Sequence, residues 1–118
     1  MVGIAIAMPG AACKKTKGGE PPVIITPPVV SNCLTNMNDM VSRYSKEVMI
    51  CEVGMSWDSP DICKAFIADL ITKVKSVPDN KCLGVLYWEP QAYGNWQGYT
   101  LGVFDNSGKL TVALDAFK

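Results

Sequence analysis

The sequence contains no histidine. Its absence removes the commonest general base, the usual zinc ligand and every Ser-His or Cys-His nucleophile pair. None of the five cysteines forms a C-x-x-C pair, so zinc and thioredoxin-like chemistry lack their usual spacing. An excess of charge is missing too. Eleven basic and eleven acidic side chains are well mixed and sum to zero. Without a basic stripe to follow phosphates, nucleic acid is excluded as the expected partner. There is no internal repeat and no apolar run long enough to cross a membrane. Chemistry must then run on carboxylates, tyrosines, lysines or cysteines, and no cofactor or metal is expected. Asp58 and Asp61 have a proline between them; Asp61 reads more simply as a first-turn residue favoured by a helix dipole.

At 118 residues the chain holds one domain at most. Its first part does not read as globular. MVGIAIAMPGAAC is an apolar run leading through small residues into Cys13, the layout of an export signal. Because the small residues meet a cysteine directly, residues 1–12 resemble a bacterial lipoprotein signal, with Cys13 as the lipidated residue. No Lys or Arg precedes the run, which departs from that pattern. KKTKGGEPPVIITPPVV follows, and its paired prolines favour an extended spacer. Residues 13–31 are therefore expected to be a disordered tether. The chain is expected to be exported and held on a membrane by lipid, in the periplasm or at the cell surface.

From residue 32 onward the apolar periodicity is regular. Cys33, Leu34, Met37, Met40, Val41 and Tyr44 recur at helical spacing, with Ser31 or Asn32 as the cap. EVMICEVG suits a buried strand. Ser59 and Pro60 then supply a cap and first helical residue. Ile62, Cys63, Phe66, Ile67, Leu70, Ile71, Val74 and Val77 form one stripe, predicting a helix over 60–76. VPDNK reads as a turn and CLGVLYWE as a second apolar strand. The order helix, strand, helix, strand predicts a βαβ unit with parallel strands. Neither strand alternates with polar residues, so both faces are expected to be covered, as in parallel α/β sheets and barrels. The four cysteines after Cys13 fall on apolar faces and read as small core hydrophobes. KLTVALDAFK has the spacing of a closing helix.

Two carboxylates end these apolar strands: Glu52 in CEVGMSW and Glu89 in VLYWEP. In parallel α/β folds ligands meet the carboxyl ends of the strands, and an unpaired carboxylate there is costly. The bland reading is that each Glu caps a loop or pairs with a nearby Lys. The chemical one is glycoside cleavage, which needs one group to protonate the leaving oxygen and another to attack the sugar carbon. Trp57, Trp88, Tyr93, Trp96 and Tyr99 cluster near the same strand ends. Flat rings with a polar edge suit the C–H faces of sugars. Of Tyr87 and Trp88 one is expected in the core, because strand residues alternate in direction.

At EVMICEVGMSW, GVLYWEPQAYGNWQGYTLGVFDNSGK and ALDAF the chain resembles glycoside hydrolase family 53, the endo-β-1,4-galactanases acting on pectic galactan and arabinogalactan. The resemblance covers about residues 34–118. It implies a (β/α)₈ barrel that cleaves with retention, EVMICEVG as its seventh strand and GVLYWEP as its eighth. Glu52 then stands at the nucleophile's position, and Trp88 lines the subsite of the attacked sugar. Trp57, Glu89, Tyr93 and Trp96 are the further sugar-binding candidates. The resemblance places the acid/base on a fourth strand, so Glu89 becomes a positioning or structural group. Residues 32–118 are thus expected to be an incomplete TIM barrel: its last two strands and flanking helices, without six strands, the acid/base or a calcium-binding loop.

Three functions compete. The chain is part of a galactanase, inactive or weakly active by itself and completed by a complementary barrel fragment or by self-association. Alternatively it is a tethered lipoprotein that binds galactan without cleaving it, or a gene remnant without function.

Overall fold

The computed structural model describes residues 2–5 and 28–118. Cys13, and most of the segments read as signal and tether, lie outside the described residues. Strand β1 (Val2–Ala5), helix α1 (Pro28–Tyr44), strand β2 (Val48–Val53), helix α2 (Pro60–Ser76) and strand β3 (Cys82–Tyr87) follow in chain order. The described strands form one sheet in the order β1-β2-β3, with both pairings parallel. Val48 lies opposite Cys82, Ile50 opposite Val85 and Val53 opposite Tyr87, with irregular steps between them.

The expected βαβ unit is present as β2-α2-β3. Helix α2 spans the predicted residues because Pro60 supplies a first position that needs no N–H, with Asp61 in its first turn and Lys73 and Lys75 in its last. Ser59 does not cap through its side chain: its hydroxyl donates to Asp58 instead (3.1 Å), while its carbonyl accepts from the Cys63 amide (3.0 Å). Cys63, Phe66, Ile67, Leu70 and Val74 of α2 are buried, against Val48, Ile50 and Val53 of β2 and Met37 of α1 in one apolar core. Truncating a fully buried residue such as Leu70 to alanine costs about 2–5 kcal/mol.

The structure departs from expectation in four places. Helix α1 begins at Pro28, three residues before Ser31, so the tether stops short of residue 31. A second proline reads as a breaker, yet at the first helical position it costs no hydrogen bond. The chain leaves α1 through Ser45, whose left-handed backbone (φ 51°) lets its amide reach the Val41 carbonyl at 2.9 Å. Second, Val2–Ala5 forms a strand where only an apolar leader was read. Third, β3 is not covered on both faces. Leu83 and Leu86 of β3 are 44% and 51% exposed, the open inner surface expected of a barrel that does not close. Last, Val112–Phe117 is a 3₁₀ helix, for which the three-residue spacing of Leu114 and Phe117 serves equally well.

Three of the cysteines, Cys33, Cys63 and Cys82, are core residues as read, and the Cys82 thiol lies 3.3 Å from the Met37 sulfur. Cys51 is half-buried, and it too is a free thiol.

Candidate carbohydrate site

The loop that follows β3 is bonded back to the ends of β2 and β3, and the closing 3₁₀ helix packs against α2. Tyr87, not Trp88, is the inward residue at the end of β3. Its hydroxyl donates to the Leu101 carbonyl (2.9 Å) and accepts from the Met55 amide (3.0 Å). Burial, and next the Cys63 thiol 3.6 Å away, hold this phenol far above the ordinary tyrosine range. It is therefore a neutral structural hub, unsuited to proton transfer.

Further bonds fasten the loop over 99–103. The Trp57 amide donates to the Thr100 carbonyl (3.0 Å), and the Val103 amide to the Pro90 carbonyl (2.8 Å). At Gly102 the loop passes so close to Ala92 that an added Cβ would stand 2.2 Å from its carbonyl oxygen. Gly54 is likewise pressed against Leu101. Below it, Asp105 closes the DNSGK turn by accepting from the Ser107 amide (2.8 Å), the Ser107 hydroxyl (2.6 Å) and the Lys109 amide (3.0 Å).

Between these fixed points lies a cleft of about 350 Å³ lined by Glu89, Gln91, Ala92, Tyr93 and Trp96, at the lower end of ordinary ligand sites. Tyr93 and Trp96 expose about half their surface (52% each). Yet Tyr93 is held: its ring packs 6.3 Å from Phe104 and lies against Gly108. Trp96 sits on a short 3₁₀ turn entered through Asn95 in left-handed backbone. Two exposed rings and a carboxylate around one cleft can stack on a sugar ring and accept its hydroxyl hydrogen bonds.

The predicted site residues are thus brought together only in part. Glu89, Tyr93 and Trp96 share the cleft. Trp88 is 49% exposed at the same strand end, and its amide is bonded to the Val53 carbonyl (2.9 Å). Trp57 is half-buried across the 99–103 loop and does not line the cleft. Glu52 is half-buried in β2. Among the described residues neither glutamate forms a salt bridge, so the bland Lys-paired reading does not account for them.

The sequence marks Tyr99 only as one of the aromatics near the strand ends; in the fold it makes a specific contact. Its hydroxyl donates to the Trp88 carbonyl (3.1 Å). Burial first, then the nearby Glu89 and Glu52 carboxylates, raise its pKa above the ordinary tyrosine value. Both acids therefore lie within electrostatic reach of one phenol.

No curated protein matches the chain. Among solved structures, fungal β-1,4-galactanases match with a TM-score of 0.61 at 23% identity, covering 75% of this chain and 32% of theirs. A thermostable mutant of a xylanase from Cellvibrio japonicus matches with a TM-score of 0.54 at 14% identity, covering 74% of this chain and 34% of its own. The chain thus spans about a third of the length of these structures, and the likeness is one of fold: a partial α/β unit of the kind found in TIM-barrel glycosidases. The family model of glycosyl hydrolase family 53 matches residues 59–117, from the cap of α2 through β3, the cleft and the closing 3₁₀ turn. That span is half of the sequence, and the chain belongs to glycosyl hydrolase family 53.

Proposed function

We propose that this chain supplies the nucleophile and one wall of the sugar-binding cleft of a retaining β-1,4-galactan hydrolase. The observation that carries the reading is the gathering of Glu89, Tyr93 and Trp96 around one cleft inside the span matched by the family, with Glu52 just ahead of that span on β2 and, like Glu89, within electrostatic reach of Tyr99. The fungal β-1,4-galactanases supply the substrate class. In this reading the Glu52 carboxylate attacks the anomeric carbon, and Tyr93 and Trp96 carry sugar rings beside it. The proton for the leaving oxygen comes from a complementary part of a barrel, seated against the open face marked by Leu83 and Leu86. Glu89 orients sugar hydroxyls and is not the acid.

The test needs no acid. A 2-deoxy-2-fluoro-β-galactoside with a dinitrophenolate leaving group departs without protonation, as the Glu52 oxygen forms its bond to the anomeric carbon and the C–O electron pair leaves on the phenolate. Intact-mass measurement on the full chain is expected to show one added fluorogalactosyl group, absent from Glu52→Gln. Saturable binding of galactotetraose with no adduct would instead favour a galactan-binding protein without cleavage. That second reading rests on the same cleft, and it predicts that Trp96→Ala weakens binding while Glu52→Gln does not.

Export and lipid attachment at Cys13 complete the proposal. Cleavage before Cys13 would remove Val2–Ala5, so a lipidated mature chain and strand β1 cannot coexist in one molecule. The mass of the N-terminal peptide from cell membranes decides between them.

A further inference from the structure

Glu89 stands in a backbone conformation that side-chain-bearing residues rarely adopt, with φ 45°. Such a conformation is strained and persists only where its surroundings over-determine it. The surroundings here are specific. The residue before it, Trp88, has both peptide groups bonded: its amide to the Val53 carbonyl (2.9 Å) and its carbonyl to the Tyr99 hydroxyl (3.1 Å). On the far side, the Glu89 carbonyl accepts from the Ala92 amide (3.2 Å). The first bond ties this corner to β2 and the third closes its own turn. Of these three bonds, the one from Tyr99 reaches the aromatic loop, beside the Val103–Pro90 and Tyr87–Leu101 bonds on either side of the corner.

Tyr99 also reaches the other strand. Its hydroxyl oxygen lies 3.4 Å from the point where a Cβ on Gly54 would stand, two residues past Glu52. Of the four aromatics that the loops contribute around the cleft, it is the one whose polar tip is turned inward onto backbone. Phenylalanine would fill the same space without the bond.

We propose that Tyr99 is a positioning residue of the carbohydrate site, its hydroxyl fastening the Trp88–Glu89 peptide so that Glu89 faces the cleft across the end of β2 from Glu52. The proposal rests on reading the cleft as a carbohydrate site. Its role is to fix, before any sugar arrives, the angle between the Trp88 ring, the Glu89 carboxylate and the attacking group. Such preorganisation matters because a displacement of about 1 Å at a reacting centre can cost a hundredfold in rate. Burial first, then the Glu89 and Glu52 carboxylates, raise the pKa of this phenol, so it stays the donor that the bond requires.

The experiment compares the full-length chain with Tyr99→Phe and with a variant carrying p-aminophenylalanine at position 99, which restores a donor. Amide hydrogen exchange is read at Trp88 and Ala92, with the Met55 amide as internal control because Tyr87 holds it. Loss of one hydrogen bond is expected to speed exchange at Trp88 and Ala92 roughly five- to tenfold in Tyr99→Phe. Met55 and the melting temperature stay unchanged, and the aminophenylalanine variant returns to the original rates. The labelling rate with the fluorogalactoside is expected to fall at least tenfold in Tyr99→Phe and to recover with the same variant. Unchanged exchange at Trp88 and Ala92 overturns the proposal, as does acceleration spread over the whole chain. Unchanged labelling despite faster exchange overturns the role at the site. If the original chain takes up no label, the reading of Glu52 fails, and Tyr99 is judged on exchange alone with galactotetraose affinity replacing the labelling rate.

Discussion

The Tyr87 hydroxyl donates to the Leu101 carbonyl at 2.9 Å and joins the end of β3 to the loop that follows the residues of the cleft. Because the same oxygen accepts from the Met55 amide (3.0 Å), one atom connects β3, the segment after β2 and the aromatic loop. Tyr87→Phe would leave a carbonyl and an amide without their partner. The expected cost is about 1–3 kcal/mol, read as a lower urea midpoint with unchanged slope. A variant as stable as the original would show that water replaces the hydroxyl at no cost.

Gly102 gives the second prediction. An added Cβ would stand 2.2 Å from the Ala92 carbonyl oxygen, within contact of Pro90 as well, and backbone atoms cannot turn aside as a side chain can. Gly102→Ala should push the loop outward and break the Val103–Pro90 bond, costing about 1–3 kcal/mol as overpacking. Trp96 fluorescence should change with it, since the cleft wall hangs from this loop. An unshifted melt and an unchanged spectrum would count against the close packing.

Local signals made α2 legible: Pro60 opened it, one apolar stripe ran through it, and both ends fell where expected. The pair of strands and their parallel order followed from the same logic, as did a core made partly of cysteine. Pairings over long sequence distances were not legible. Val2–Ala5 has the composition of an apolar leader, and only its partner β2 makes it a strand. Alternation required one of Tyr87 and Trp88 to turn inward, but the choice depended on Met55 and Leu101. Tyr99 read as one more loop aromatic because its bond spans eleven residues to a backbone carbonyl, a partner that no side-chain pattern marks. The cleft was half-legible. Glu89, Tyr93 and Trp96 are grouped as sugar-binding candidates by the sequence, whereas the exclusion of Trp57 from the cleft they share comes from the turns that fold the loop back.

The thiols should react in a fixed order. Burial raises the pKa of Cys33, Cys63 and Cys82, so little of the reactive thiolate is present at neutral pH. Cys51 is half-buried on the side of β2 opposite Ile50. Under brief alkylation of the native chain, peptide mapping should find Cys51 modified well before Cys33, Cys63 and Cys82. Equal modification of these four described cysteines would mean that the core opens on the timescale of the reagent.

The last prediction concerns acid. Asp105 accepts from the Ser107 hydroxyl and from two amides at the DNSGK turn, and these bonds, the Ser107 hydroxyl first, hold its carboxyl below the usual range. With the folded value below the unfolded one, the unfolded chain binds more protons in that interval. The contribution of Asp105 is therefore fully present above the unfolded value of ~3.9 and is lost as pH falls through the lowered folded value. Asp105→Asn keeps an acceptor but removes the charge. It should be the less stable protein at pH 7, and the gap between the two should narrow as both are taken toward about pH 2. Urea unfolding of both chains across that range measures the gap, and comparing them cancels the other carboxylates that titrate there. A gap that stays constant with pH would mean the charge contributes nothing and that hydrogen-bond geometry alone holds the turn against which Tyr93 packs.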